Sequence, residues 1–297
     1  MKEIEWKNYI LGIENSSGEL NTSSFNAVKE LNYLLIGTIK RLAKEDFGVA
    51  FSGGIDSTLI AFIAKRIIGA NFRCYSVGLE NSADIISAKK SAEIIGLDLK
   101  YKILSLNELD IIFRKVVQIL NEADVTKAGV GAVVYATLEL AKEDNVKHIF
   151  TGLGSEEIFA GYDRHLKALG KNNWDALHKE CWNGLKGMWQ RDLSRDFAIA
   201  KTLGICLVTP FLEREIITSA MNFHPKLKIN NEQKKIILRE VAESLGMPKE
   251  FAWRKKKAAQ YGSKFIDGMD KITKKNGFGL KKEYLESILI SCNSSKK

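Results

Sequence analysis

Cysteine and histidine are scarce, four of each in 297 residues, and neither is grouped. Cys74, Cys181, Cys206 and Cys292 stand far apart with no C-x-x-C pair, which argues against a zinc ribbon, a redox dithiol or a persulfide-carrying site. His148, His165, His178 and His224 lack the spacing of metal ligands. Long apolar runs are missing too, because Lys, Glu or Gly interrupts each one early; no membrane partner is expected. The opening Met1-Lys2-Glu3-Ile4-Glu5-Trp6 has mixed charge and no apolar core, so it predicts no signal peptide and a cytoplasmic protein. Proline is rarer still, with only Pro210, Pro225 and Pro248.

Positive charge is in excess. The formal net charge of +9 admits a nucleic-acid partner. Lys and Glu are nevertheless interspersed along the chain, the pattern of a solvated surface. A site for a phosphate-bearing ligand would also take up part of the excess, so nucleic acid is not the favoured partner.

Hydrophobic content of 45% and charged content of 27% are those of a globular protein. Residues 1–45 read as a lead-in, with helical spacing from Phe25 to Leu42. Residues 46–165 alternate between strand and helix. Strands are predicted at Phe47–Phe51, Phe72–Gly78, Leu99–Leu104 and His148–Thr151, with helices at Thr58–Ile68, Ser82–Ile95, Leu109–Leu120 and Val130–Ala141. That alternation predicts a doubly wound, mainly parallel α/β sheet with ligands at the carboxyl ends of its strands. Beyond about residue 166 the strand signal fades, and a mostly helical part, 166–297, is expected to complete the site. Its helices are predicted at Trp182–Leu203, Glu213–Asn222 and Gln233–Leu245. Trp174, Trp182, Trp189 and Trp253 read as packing residues.

The most informative segment is Val49-Ala50-Phe51-Ser52-Gly53-Gly54-Ile55-Asp56-Ser57-Thr58. An apolar strand enters a small-residue turn, and an apolar helix follows at once. Ser52, Gly53 and Gly54 let the backbone approach an anion, with N–H groups and the positive helix end aimed at it. Asp56 adds a carboxylate where a phosphate-bound Mg2+ could sit. No Lys follows the glycines, so the loop is not of the Walker type. Ser-Gly-Gly-x-Asp-Ser resembles instead the pyrophosphate loop (PP-loop) of enzymes that split ATP into AMP and pyrophosphate.

A second strand, glycine turn and acidic helix start is Ile149-Phe150-Thr151-Gly152-Leu153-Gly154-Ser155-Glu156-Glu157-Ile158, leading to Gly161-Tyr162. Together the two motifs resemble the synthetase domain of the asparagine synthetase family. The likeness continues through Val77-Gly78-Leu79, Asp124-Val125-Thr126, Pro210-Phe211-Leu212-Glu213, Lys235-Ile236-Ile237-Leu238-Arg239 and Ala252-Trp253-Arg254-Lys255-Lys256, over about residues 47–265. It implies an adenine nucleotide alpha hydrolase-like fold and an ATP-dependent, AMP-forming amide ligase. A carboxylate, aspartate or an analogue, attacks the α-phosphate of ATP, and ammonia then displaces AMP. By the same resemblance Ser52, Gly53, Gly54, Asp56 and Ser57 hold the outer phosphates, and Asp56 and Glu156 hold Mg2+. Val77 pairs with adenine through its backbone, while Thr151 and Gly152 contact the nucleoside. Catalytic roles fall to Lys256 and Arg254, with Lys256 steadying charge on the leaving pyrophosphate; Lys255 or Lys257 takes that role if the register slips by one. The chain also resembles the asparagine-synthetase-domain-containing proteins through Gly161-Tyr162-Asp163-Arg164-His165 and Gln260-Tyr261-Gly262-Ser263.

Four departures bear on the reaction. Glu156 stands where the family has Asp, with an arm long enough to reach the same metal, and Leu153 stands where asparagine synthetases carry a glutamate that accepts a proton from attacking ammonia. β-Lactam synthetases, which close a ring instead, also replace that glutamate. Lys127-Ala128-Gly129-Val130-Gly131-Ala132 replaces a stretch that in the family holds an Arg near the acyl substrate. The family's preceding glutaminase domain is not expected in residues 1–45, so nitrogen would come from free ammonia or a separate glutaminase subunit. Two rival readings stand beside this one: a tRNA-modifying PP-loop adenylating enzyme, and a degenerate ATP-binding relative acting through a partner.

Overall fold

The computed structural model describes residues 2–43, 46–255 and 258–294. Five strands form one sheet: β1 Phe47–Ala50, β2 Arg73–Gly78, β3 Asp98–Ile103, β4 His148–Phe150 and β5 Cys206–Val208. Their order is β3-β2-β1-β4-β5 and every neighbouring pair is parallel. The chain winds outward from β1 to β3, then returns to the other side of β1 for β4 and β5. The reversal leaves a crevice between β1 and β4 at their carboxyl ends, where open α/β sheets bind ligands.

Alternating residues of each strand feed opposite faces. Phe47, Val49, Phe51, Cys74 and Phe150 join one apolar cluster, while Tyr75, Val77 and Ile149 join another. The first face is covered by α1 (Glu3–Glu14), α2 (Ser24–Leu42) and α3 (Ile55–Phe62), the last running on as a π-helix, Ile63–Ile67. Helix α4 (Ala83–Ile95) packs on β2 and on the edge strand β3. The second face carries α5 (Leu106–Leu120) and α6 (Val125–Lys142). Beyond β4 come α7 (Ser155–Ile158), α8 (Asp163–Leu169), α9 (Trp174–Lys186) and α10 (Ser194–Leu203). After β5 follow α11 (Arg214–Met221), α12 (Ile236–Ser244), α13 (Lys249–Ala252), α14 (Ala259–Gly262), α15 (Phe265–Lys275) and α16 (Lys281–Ser294).

The four expected strands are present, and the structure adds to them. The mostly helical part, 166–297, contributes a fifth strand, β5, whose three residues pair with β4. Residues 3–14 form a helix because Trp6, Ile10 and Ile13 fall on one buried stripe. Helix α6 starts at Val125, earlier than the predicted Val130, because the Asp124 side chain caps it by accepting from the Lys127 N–H at 2.7 Å. The helix expected from Trp182 to Leu203 is interrupted after Lys186, and Trp189–Leu193 forms a π-helix between α9 and α10. Among the described residues no helix is long and apolar enough to cross a membrane.

Asp144 ties the turn after α6 to the sheet. It accepts from Lys100 Nζ at 2.8 Å, Arg73 Nη1 at 2.9 Å and the Tyr75 hydroxyl at 3.0 Å. These bonds, Lys100 first, hold its pKa at about 2, below the ordinary 3.8. The charged form is therefore favoured in the fold. Its contribution to stability is complete above the unfolded value and is lost as pH falls through about 2. Chemical denaturation in steps between about pH 5 and pH 2 should show this loss, and Asp144→Asn should flatten that part of the profile. High salt should weaken the effect, since the network is partly exposed.

Candidate functional site

The loop after β1 is held open by its own bonds. The Ser52 N–H donates to Ser57 Oγ at 3.3 Å, Gly54 N–H to Ser52 Oγ at 3.4 Å, and the Ser57 hydroxyl to Gly54 O at 3.2 Å. Gly53 has φ +66°, and a Cβ there would stand 2.5 Å from Ser87 Oγ and 2.8 Å from the Ser87 carbonyl carbon. Only glycine fits this position. The result is a tight turn feeding the N-terminus of α3, with backbone N–H groups at its mouth. Arg254 supports the loop from behind, donating from Nη1 to Gly53 O at 2.9 Å and from Nη2 to Ala83 O at 3.4 Å. Its guanidinium thus spans the loop and the start of α4. Burial pushes its pKa below the ordinary value.

The second turn approaches from β4. Gly154 has φ +95° and starts α7. Gly152 lies against Asp56, where a Cβ would stand 2.7 Å from the Asp56 Cβ. The two turns therefore touch at a residue without a side chain. Beside them Thr151 donates its backbone N–H to Val208 O at 2.9 Å, and its buried hydroxyl oxygen has no hydrogen-bond partner among the described residues. Val77 lies on β2 past the last pairing with β1, Ala50↔Tyr75. By the alternation of a parallel ladder, its N–H and C=O point to the side of the β1 loop.

Asp56, Glu156 and Lys235 converge between the turns. Lys235 Nζ lies 2.7 Å from Asp56 Oδ1, 2.8 Å from Glu156 Oε1 and 3.1 Å from Ser155 Oγ. Asp56 and Lys235 are buried, while Glu156 is partly open at 29% side-chain exposure, so the cluster has one accessible side. Burial works against the ammonium, but the two carboxylates outweigh it and hold its pKa above the ordinary value. Lys235 has φ +57°, a conformation that costs a non-glycine residue about 1–2 kcal/mol. The cost is borne where the ammonium bridges both motifs. Gly161 seals the arrangement, because a Cβ there would stand 1.8 Å from Glu156 Oε2 and 2.4 Å from Lys235 Cε.

Glu157 turns the other way. It is buried beside Arg191, and burial, partly offset by that guanidinium, pushes its pKa up to about 7. Tyr162 carries the Arg164 guanidinium over its ring at 3.9 Å. Leu153 packs against the first-face core. Just past β2, Leu79 N–H donates to Ser263 O at 3.0 Å, which ties the end of α14 to the carboxyl end of that strand. Lys256 and Lys257 lie outside the described residues.

Ser52, Gly53, Gly54, Asp56, Ser57, Thr151, Gly152 and Glu156 are thus gathered at one crevice, with Val77 on its flank and Arg254 behind the loop. Little in the sequence marks Lys235: its only local signal is a charge just before an apolar helical run. Two carboxylates on one small cation form a hard-oxygen donor set that suits Mg2+, which is often held by one or two carboxylates plus ligand phosphates. Among the described residues there is no cluster of three or more His, Cys, Asp or Glu side chains that could hold a metal.

This is a parallel α/β protein with paired glycine turns and a carboxylate–lysine cluster at the switch point of its sheet. The asparagine synthase family model matches residues 30–174 and 169–275. A protein of Methanocaldococcus jannaschii that carries the asparagine synthetase (glutamine-hydrolyzing) name is 32% identical over 275 residues, covering 81% of this chain and 50% of that protein. Asparagine synthetase (glutamine-hydrolyzing) 1 of Lotus japonicus is 31% identical over 251 residues, covering 78% and 42%. Among solved structures, the NH3-dependent NAD synthetase of Campylobacter jejuni aligns at 13% identity with a TM-score of 0.39, over 93% of this chain and 97% of that one, a loose likeness. The chain belongs to the asparagine synthase family. It spans about half the length of the curated relatives it matches.

Proposed function

We propose that the chain is an ATP-dependent, AMP-forming ligase that adenylates a carboxylate and transfers the acyl group to a nitrogen nucleophile. The observation that carries this reading is the Asp56–Lys235–Glu156 cluster joining two glycine turns at one sheet crevice. The Ser52–Ser57 loop would hold the outer phosphates by its N–H groups and hydroxyls, with the start of α3 adding its dipole. Arg254 would fix the loop rather than touch the phosphates, since its guanidinium is engaged by carbonyl oxygens. The Val77 backbone and Thr151 hydroxyl would meet the nucleoside. Asp56 and Glu156 would hold Mg2+, which supplies charge neutralisation on the phosphates. Lys235, already in contact with both carboxylates, would stand ready to follow negative charge as it shifts toward pyrophosphate.

Leu153 cannot accept a proton, so the nucleophile must arrive unprotonated or lose its proton elsewhere. ATP–pyrophosphate exchange with Mg2+ tests the first half-reaction, comparing L-aspartate with other carboxylates, no added substrate and bulk tRNA. The expected result is exchange that depends on a small-molecule carboxylate. Exchange stimulated only by tRNA would overturn the small-carboxylate reading, and no exchange with any of them would overturn the adenylating one.

A further inference from the structure

A cavity of about 590 Å3 lies beside the second glycine turn, a volume suited to a small organic molecule. Two aromatic pairs wall it: Trp6 with Tyr9, ring centroids 5.8 Å apart, and Trp189 with Phe197, 6.3 Å apart. The Trp6 indole N–H is committed to Leu185 O at 2.7 Å, which leaves the ring as wall. Among the described lining residues Thr209 and Glu213 are the non-aromatic polar ones, and none is Lys or Arg. Thr209 directly follows β5, so the cavity sits at the carboxyl edge of the sheet. Leu212, on its floor, also touches the second turn: a Cβ on Gly154 would stand 2.3 Å from Leu212 Cδ2. Trp189 belongs to a π-helix, a distortion frequent at functional sites.

We propose that this cavity binds a primary ammonium ion carried on an aromatic or bulky aliphatic body, and that this amine, rather than ammonia, is the nitrogen nucleophile. Ring faces attract an organic cation, and a carboxylate at the rim completes the charge complement. Glu213 and Glu215 share the Arg41 guanidinium, at 2.8 and 2.5 Å, so an ammonium at the rim would compete with Arg41 for Glu213. Leu153 fits the same picture. An amine held by its body is oriented by the walls, and no glutamate is needed to seize ammonia from solution. The inference rests on the adenylating reading above. In the step, the ammonium first gives one proton to solvent. The nitrogen lone pair then forms the C–N bond, the acyl C–O bond breaks with its electron pair leaving on AMP, and a second N–H proton passes to solvent.

Tryptophan fluorescence of the full chain, without nucleotide, tests the binding. The titrants are 2-phenylethylamine, 2-phenylethanol and ammonium chloride. Saturable quenching by the amine is expected, about tenfold weaker for the alcohol and absent for ammonium. Glu213→Gln should weaken the amine about tenfold and leave the alcohol unchanged, and Trp189→Ala should weaken both. Equal affinity for amine and alcohol would overturn the proposal in favour of a merely apolar cavity, and so would a lack of saturable quenching. ATP–pyrophosphate exchange is read separately, so a failure of amine binding and a failure of adenylation are distinguishable.

Discussion

Asp56→Asn is expected to lower Mg2+-dependent ATP–pyrophosphate exchange by about 10²–10³-fold. The substitution keeps the shape of a side chain wedged against Gly152 and removes only its charge. Lys235 still has Glu156 at 2.8 Å, so the buried ammonium keeps one counter-charge and the fold should survive. Mg2+ binding should weaken sharply, because the single carboxylate that remains sits on a partly open arm. Differential scanning fluorimetry gives the second readout. Saturating Mg-ATP should raise the melting temperature of the parent chain, as a ligand at about 100 times its Kd adds about 2.7 kcal/mol. It should raise that of the variant far less. A variant that retained both exchange and the thermal shift would show that Asp56 does not hold the metal.

The parallel sheet was legible because each glycine turn follows an apolar strand and precedes a helix, a pattern with few alternatives. β5 was not legible. Cys206-Leu207-Val208 is too short to alternate and is partly exposed, so nothing marks it before its partner β4 is in place. The first helix hid behind mixed charge at its start, although Trp6, Ile10 and Ile13 have the right spacing. The glycines of the site were readable as turn residues. Their second reason, close approach to Ser87, Asp56, Leu212 and Glu156, exists only in three dimensions. Lys235 is the clearest case. Its partners Asp56 and Ser155 lie 179 and 80 residues away, and no local propensity places a lysine in the left-handed region. Local pattern finds the two turns; only the folded chain finds what joins them.

Lys235→Met should therefore be the most damaging single change at the site. It removes the ammonium that bridges the buried Asp56 and Glu156. Removing one partner of a buried ion pair costs about 3–5 kcal/mol, because the remaining charge stays desolvated. A drop in melting temperature of several degrees should follow. Mg2+ alone, without nucleotide, should then stabilise the variant more than the parent chain, since a divalent ion can take the two oxygens that the ammonium held. Lys235→Arg keeps the charge but brings a planar fork into a space closed by Gly161, so it should recover only part of the loss. Exchange activity should fall in both variants, and more in Met than in Arg. Scanning fluorimetry across a Mg2+ series separates the two contributions. If the Met variant melted with the parent chain and ignored Mg2+, desolvation of the ammonium would cancel its attraction, and Lys235 would not set the charge balance of the site.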